Sequence, residues 1–277
     1  MHWWEGFSGK RVVVTGASSG IGRATALAFA AAGARVALVA RRPLALEEVR
    51  HEIEARGGHA VVLPCDVTRA GAVRATVAAA EDQLGGLDVV VNNAGLLIPA
   101  PVTEMRAADL RAMLDVNLVG AWLVLRESVT RMQRLGDGCV VNVASLAGRR
   151  GVTPLGGYCA SKFALIGLTE ALRTELVGQS VHVALVTPGV VDTPMARGAA
   201  SRSEFTDQWP EALQMPASWV VWAIFAAARF RLYEVSVPPG LGTLEKLAAL
   251  APGVGDTVLE WMRRAGGWLG KVDQRER

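Results

Sequence analysis

Along this chain, short runs of β-branched and aliphatic residues alternate with longer stretches in which apolar positions recur every three or four residues. The short runs fall at 11–15, 35–40, 60–65, 88–92, 139–143, 181–187 and 234–237. Most lack apolar–polar alternation, as strands do when helices cover both of their faces. Between them the apolar spacing predicts helices over 22–32, 44–56, 70–84, 105–135 and 158–177. Such alternation implies right-handed crossovers and an α/β fold, a doubly wound parallel sheet of about seven strands. No internal repeat and no flexible linker interrupts the pattern, so residues 1–277 read as one domain.

Two regions break the rhythm. Residues 196–216 are polar and carry Gly and Ser, the composition of a hinged loop. After Pro239 the pattern is helical again, with Leu244, Leu247 and Ala251, then Val258, Trp261, Met262, Ala265, Trp268 and Leu269. This predicts one or two amphipathic helices, broken near Pro252 and Gly255, as an extension (240–277) on a core of about 7–239.

Composition narrows the class. Hydrophobic residues make up 51% and charged residues 20%, which excludes a disordered chain. The longest unbroken apolar run, 219–228, is about half of what a bilayer-spanning helix needs. The first residues lack the basic start and long apolar run of a secretory signal. Cys65, Cys139 and Cys159 are an odd count without ligand spacing, so neither a disulfide framework nor a metal site is expected, and a cytoplasmic location is. The net charge of +3 comes from dispersed arginines, which gives no support for nucleic-acid binding.

Candidate chemistry begins where the first strand runs into Thr15-Gly16-Ala17-Ser18-Ser19-Gly20-Ile21-Gly22 and a helix follows. Glycines allow a sharp turn and close approach to a pyrophosphate, and the helix N-terminus presents free N–H groups. The competing reading is a turn that uses glycine only for packing. At the end of the second strand an acidic residue would bond a ribose 2′-hydroxyl, but here Ala40 leads into Arg41 and Arg42. A guanidinium suits a 2′-phosphate, so NADP(H) is expected over NAD(H), unless both arginines merely line a solvated loop.

Tyr158 and Lys162 stand four residues apart and share a helical face. A nearby ammonium favours a phenolate, so Lys162 is expected to lower the Tyr158 pKa and let it exchange protons with a carbonyl or alcohol oxygen. Ser145, ending a strand, is placed to hydrogen-bond the same oxygen. Cys159 reads as a small buried filler, and Arg149 and Arg150 as a solvated loop.

Taken together these motifs resemble the short-chain dehydrogenase/reductase family. The glycine segment resembles its TGxxxGIG, Asn92-Asn93-Ala94-Gly95 its NNAG, Tyr158-Cys-Ala-Ser-Lys162 its YxxxK, and Pro188-Gly189-Val190-Val191-Asp192-Thr193 its PGxxxT. Asn117 stands at the helical position of that family's fourth catalytic residue, and Asp66-Val67 where it contacts adenine. The resemblance covers roughly residues 7–239. It implies a Rossmann-like fold and hydride transfer between a nicotinamide cofactor and a carbonyl or alcohol. Tyr158 would be the acid–base group, Ser145 would orient the substrate oxygen, and Lys162 would also bind the nicotinamide ribose. Asn117 would hold a water linking Lys162 to solvent. Gly16, Ser18, Ser19, Gly20 and Ile21 would surround the pyrophosphate, Asn93 and Ala94 would line the ribose, Val191 and Thr193 would hold the carboxamide, and Gly95, Pro188 and Gly189 would also be cofactor-binding.

The resemblance also implies a homodimer or homotetramer. The chain departs from the pattern in ending its last predicted strand with Pro238-Pro239-Gly240 and a long tail, which resembles relatives with appended C-terminal helices, including some that act on lipophilic carbonyls or steroids. The expected activity is reduction of a lipophilic ketone or aldehyde. Two other readings stay open: an NAD-dependent alcohol or hydroxysteroid dehydrogenase, and a non-catalytic NADP(H)-binding regulator. Substrate choice is expected from residues 96–102, 146–157 and 194–216, where Met195, Phe205, Trp209 and Met215 suggest an apolar pocket. The basic, Trp-bearing tail is expected to pack on protein rather than lie on a membrane.

Overall fold

Seven strands, β1 (Arg11–Thr15), β2 (Arg35–Ala40), β3 (His59–Pro64), β4 (Val89–Asn92), β5 (Gly138–Val143), β6 (Val181–Pro188) and β7 (Glu234–Val237), form one parallel sheet in the order β3-β2-β1-β4-β5-β6-β7. These are the strands of a computed structural model in which residues 6–200, 214–248 and 253 are described. The chain builds outward from β1 to β3, then returns to lay β4 against the other side of β1. The order reverses between β1 and β4, so the loops after these two strands diverge and open a crevice at the strands' carboxyl ends.

Both faces of the sheet are covered, which is why the strand sequences fail to alternate. Val12 and Val14 pack into one core layer and Val13 into the other. The first layer is closed by α1 (Gly20–Ala31), α2 (Pro43–Ala55) and α8 (Ala217–Phe230); the second by α3 (Ala70–Leu84) and α5 (Ala121–Leu135). Phe29 of α1 stacks on Phe225 of α8 at 4.1 Å, with Phe7 edge-on to both. The apolar run 219–228, too short to span a membrane, lies in α8, where Val220, Ile224 and Phe225 are buried in the core while Trp219 and Trp222 are exposed.

The predicted helix over 105–135 is three pieces. Helix α4 (Ala107–Leu114) passes through a π turn, Asp115–Gly120, into α5. Asn117 lies in that turn, and such wide turns cluster at functional positions. Part of the expected loop 196–216 is helical, because Pro194 opens a short α7 (Pro194–Ala200). Two further helices are α6 (Gly156–Glu175) and α9 (Leu241–Ala248), the latter being the described start of the predicted extension. Phe205, Trp209 and the tail positions Ala251, Val258, Trp261, Met262, Ala265, Trp268 and Leu269 lie outside the described residues. Among the described residues no helix is long and apolar enough to cross a membrane.

Candidate active site

The glycine turn after β1 is shaped by contacts that admit no side chain. Gly16 has φ +68°, and a Cβ there would sit 2.8 Å from Asn93 Nδ2. A Cβ on Gly22 would come within 2.3 Å of the Gly16 carbonyl oxygen. Helix α1 therefore starts hard against the end of β1. No side chain caps that start: Ser19, in extended backbone, makes no capping hydrogen bond to the first N–H groups. An uncapped helix N-terminus facing a crevice is the cradle an anionic pyrophosphate fits.

Thr15 and Asn93 join the two diverging loops. Thr15 Oγ1 accepts from the Asn93 and Ala94 N–H groups at 2.9 and 3.0 Å, and Asn93 Nδ2 donates to the Thr15 carbonyl at 3.0 Å. Asn93 thus fastens strand ends. Thr15 carries half of the joint, and it looked like an ordinary strand residue in the sequence.

The resulting crevice is lined by Gly16, Ser18, Ser19, Gly20, Ile21, Ala40, Arg41, Arg42, Cys65, Asp66, Val67, Asn93, Ala94, Gly95, Val116, Thr193, Pro194 and Met195. The expected residues of the glycine turn, the arginine pair, Asp66-Val67 and Asn93-Ala94-Gly95 all meet here. Arg42 leans across the mouth and donates to Ser18 Oγ at 3.1 Å. Asp66 accepts from the Thr68 N–H at 3.1 Å and the Thr68 hydroxyl at 2.8 Å. The Thr68 N–H, its hydroxyl, and the attraction of Arg41 and Arg69 hold the Asp66 carboxyl below the ordinary carboxylate range. Cys65, Val116 and Pro194 were not anticipated; only the three-dimensional course of the loops brings them in.

Pro188, Gly189 and Val191 do not line that crevice. Pro188 ends β6 and the other two follow it; the Pro188 carbonyl accepts from Ser145 Oγ at 3.3 Å and the Gly189 N–H donates to the Val237 carbonyl at 2.8 Å. Val191 is held by a bridge to Met215. Thr193 accepts from the Ala196 N–H at 3.2 Å and so caps α7, with a Gly20 Cβ position 3.4 Å from its Cβ.

Ser145, Tyr158 and Lys162 converge at the end of β5. Ser145 opens a tight 3₁₀ turn, Leu146–Gly148, and accepts from the Ala147 N–H at 3.1 Å. Lys162 is 4% exposed, donates from Nζ to the Val143 carbonyl at 2.9 Å, and lies 5.7 Å from the Tyr158 ring centre. Burial drives its pKa from the ordinary 10.5 down to about 8. Burial also drives Tyr158 up from 10 to about 12, against the hydrogen bond of Ser145, which pulls it down. Here the expectation from spacing is not met in the balance: the Tyr158 pKa is raised, not lowered, despite the neighbouring Lys162. The two groups share a buried, low-dielectric site, and desolvation of the phenolate outweighs an ammonium committed to a backbone carbonyl.

Two buried polar chains brace this geometry. Asn117, fully buried, accepts from the Leu96 N–H at 2.7 Å and donates to the Leu96 carbonyl at 2.8 Å and to Ser161 Oγ at 2.9 Å. Ser161 in turn donates to the Tyr158 carbonyl at 2.7 Å. Both ends of the Asn117 amide are committed, so the water-holding role implied by the resemblance draws no support from this side chain. In the second chain Asn92 donates to the Ala121 carbonyl and to Asn142 Oδ1, and Asn142 donates to Thr169 on α6. Buried polar side chains linked this fully fix one arrangement of the strands and helix they join.

Beyond Tyr158 the wall is apolar: Met113, Leu155 and Cys159, with Leu96, Leu97, Ile98, Met105 and Val152 packed against them. Cys159 accepts weakly from the Val152 N–H at 3.4 Å, and burial pushes its thiol pKa up, as befits a filler. Arg149 corrects another expectation. It is not a solvated loop residue: its Nη2 donates to Glu170 at 2.9 Å and to Glu234 at 3.1 and 3.2 Å. Among the described residues no cluster of His, Cys, Asp or Glu is suited to a metal ion.

An uncapped helix N-terminus at the sheet's reversal point and a buried Ser–Tyr–Lys group at the end of β5 are an arrangement that an NAD(P)-binding oxidoreductase can use. The family model described as short chain dehydrogenase matches residues 10–204. The ketoacyl reductase HetN of a Nostoc species is 34% identical over 266 residues, spanning 96% of this chain and 91% of the relative. A 3beta-hydroxysteroid dehydrogenase of Mediterraneibacter gnavus is 37% identical over 196 residues, 70% of this chain and 71% of that one. Among solved structures, a short chain dehydrogenase/reductase of Burkholderia phymatum in complex with NAD superposes with a TM-score of 0.79 at 27% identity, covering 90% of this chain and 96% of its own. A short-chain type dehydrogenase/reductase of Mycobacterium marinum gives 0.77 at 31% identity, over 83% and 94%. The chain belongs to the short-chain dehydrogenase/reductase family of oxidoreductases.

Proposed function

We propose that the protein is an NADP(H)-dependent reductase of apolar ketones or aldehydes, with Tyr158 as proton donor. The observation that carries the reading is the buried Ser145–Tyr158–Lys162 group beside an apolar wall, its phenol held protonated at neutral pH. The bound nicotinamide dinucleotide would supply the hydride chemistry that no side chain carries. Gly16, Ser18, Ser19, Gly20 and Ile21 would hold its pyrophosphate, and Arg41 and Arg42 the 2′-phosphate. Asp66, Val67, Asn93, Ala94 and Gly95 would line its adenosine and ribose portions. Pro188, Gly189, Val191 and Thr193 would serve the carboxamide.

The protein's own part is proton placement and orientation. Ser145 Oγ accepts from the Ala147 N–H and would turn its one hydroxyl proton from the Pro188 carbonyl to the substrate oxygen. Tyr158 delivers its hydroxyl proton to that oxygen as negative charge develops there. Lys162 supplies positive charge beneath the phenol, and Asn117, through Ser161, holds the start of α6 so that Tyr158 keeps its aim. The apolar wall excludes water and favours hydrocarbon-bearing substrates.

The alternative is an NAD-dependent alcohol dehydrogenase, a reading favoured by the NAD found in the Burkholderia relative. We also read the chain as a homo-oligomer, since Trp122, Phe163, Trp219, Trp222 and Tyr233 are large apolar side chains on its surface. Its three cysteines are free and buried, which suits a reducing cytoplasm. The test is consumption of NADPH and NADH with a series of ketones and aldehydes of increasing chain length. The reading predicts a preference for NADPH and a kcat/KM that rises with apolar length. Faster oxidation of alcohols with NAD, or no length dependence, would replace it.

A further inference from the structure

The turn that carries Ser145 is held from beneath by charges far away in sequence. Gly148, its last residue, is pressed so closely on α6 that a Cβ there would lie 2.9 Å from the Lys162 carbonyl oxygen. Immediately after it, Arg149 reaches Glu170 on α6 and both oxygens of Glu234, the first residue of β7. Glu234 is shared: it also accepts from the ammonium of Lys246 on α9, a helix that packs on β7 and on the 3₁₀ turn itself, and it attracts Arg173 of α6.

Exposure separates this group from an ordinary surface pair. The side chains of Arg149 and Glu234 are only 14% and 17% exposed, whereas Glu170 and Lys246 are each 49% exposed. Exposed pairs contribute little, but a mostly desolvated pair fixes geometry, because losing one partner strands the other charge. The turn is also joined to its surroundings by the Ser145 hydroxyl on the Pro188 carbonyl and by Ala147, which packs against the Tyr158 cluster.

We propose that Glu234 and Arg149 are positioning residues for Ser145, and that through Lys246 they make the seating of α9, the start of the C-terminal extension, part of the active site's geometry. The proposal rests on the reading of Ser145 as the group that orients the substrate oxygen. Arg149 and Glu234 together then tie three separate elements to the turn: α6 through Glu170, β7 through Glu234 itself, and α9 through Lys246. A shift of the turn by a fraction of an ångström would misdirect the Ser145 hydroxyl while leaving the dinucleotide cradle, at the β1 and β4 ends, untouched.

The experiment uses the full chain and the variants Glu234→Gln, Arg149→Met, their double variant, and Lys246→Met. Amide hydrogen exchange over 145–150 is read alongside kcat, KM and NADPH affinity. Each of the Glu234 and Arg149 variants is expected to exchange faster over 145–150 and to lose about tenfold or more in kcat, with NADPH affinity unchanged, since small misplacements cost this much. The double variant is expected to lose no more than the worse single one, as coupled partners do. Lys246→Met should show a smaller change of the same kind. Wild-type exchange at 145–150 in both single variants would overturn the proposal, as would additive losses or an equal loss of NADPH affinity. If the wild-type protein itself reduces no carbonyl, the proposed function fails, and the exchange measurement still decides whether the clamp exists.

Discussion

Replacing Lys162 by Met removes a cation that folding places almost entirely out of water. Burial lowers the lysine from 10.5 to about 8, so at pH 7 the folded state carries a penalty of about 3 kcal/mol, at ~1.4 kcal/mol per pKa unit. A depressed lysine pKa means that between pH 8 and 10.5 the unfolded chain binds more protons than the folded one. Stability therefore rises with pH across that window, and by pH 10 roughly 2–3 kcal/mol of the penalty is relieved. The Met variant has no such proton. It loses the hydrogen bond to the Val143 carbonyl, which costs about 1–2 kcal/mol at every pH. The prediction concerns the difference between the two proteins. Wild type should gain about 2–3 kcal/mol on the variant between pH 7 and pH 10. Urea unfolding at pH 7, 8.5 and 10, followed by tryptophan fluorescence with a common m value, measures it. Tyr158, whose folded pKa is raised to about 12, weakens both proteins alike above pH 10, so its effect cancels in the difference. Parallel pH profiles would refute the reasoning, because they would mean that Lys162 is not desolvated as its burial requires.

Arg42→Ala should weaken NADPH binding by about 10–100-fold, the loss of a charge-assisted contact of roughly 1.5–3 kcal/mol, and leave NADH within about twofold; equal weakening of both would remove Arg42 from phosphate recognition. Gly22→Ala should cost about 1–3 kcal/mol in unfolding experiments and abolish dinucleotide binding, since its Cβ would press within 2.3 Å of the Gly16 carbonyl oxygen and 2.5 Å of Asn93 Nδ2. Gly71→Ala on α3, where nothing lies within 4 Å of the new Cβ, is the control and should be neutral or stabilising by up to about 1 kcal/mol.

What could be read in the sequence was what has short range or a fixed period. The seven strands stood out because buried parallel strands are continuous β-branched runs, and the i, i+4 spacing put Tyr158 and Lys162 on one helix face. The glycine turn was legible because few residues other than glycine satisfy both a positive φ and a close backbone approach. Three things were not legible. The π turn at Asn117 leaves the apolar period almost unchanged, so one long helix was the natural expectation for what are α4 and α5. The partners of Arg149 stand 21 and 85 residues away, a distance no local pattern spans. The third is the direction of the Tyr158 shift. Spacing brings an ammonium near the phenol, but the sign depends on how dry the site is and on what else the ammonium binds, both set by tertiary packing.

The account stands or falls on Tyr158 as the proton donor. The direct measurement is carbonyl-dependent NADPH oxidation by Tyr158→Phe beside wild type, with NADPH affinity read by energy transfer from the tryptophans. Phenylalanine keeps the ring in its buried place and removes only the hydroxyl, so turnover should fall by about 10³-fold or more while affinity stays within a few-fold. Turnover retained within tenfold of wild type would contradict the account and send the search for the acid to another group.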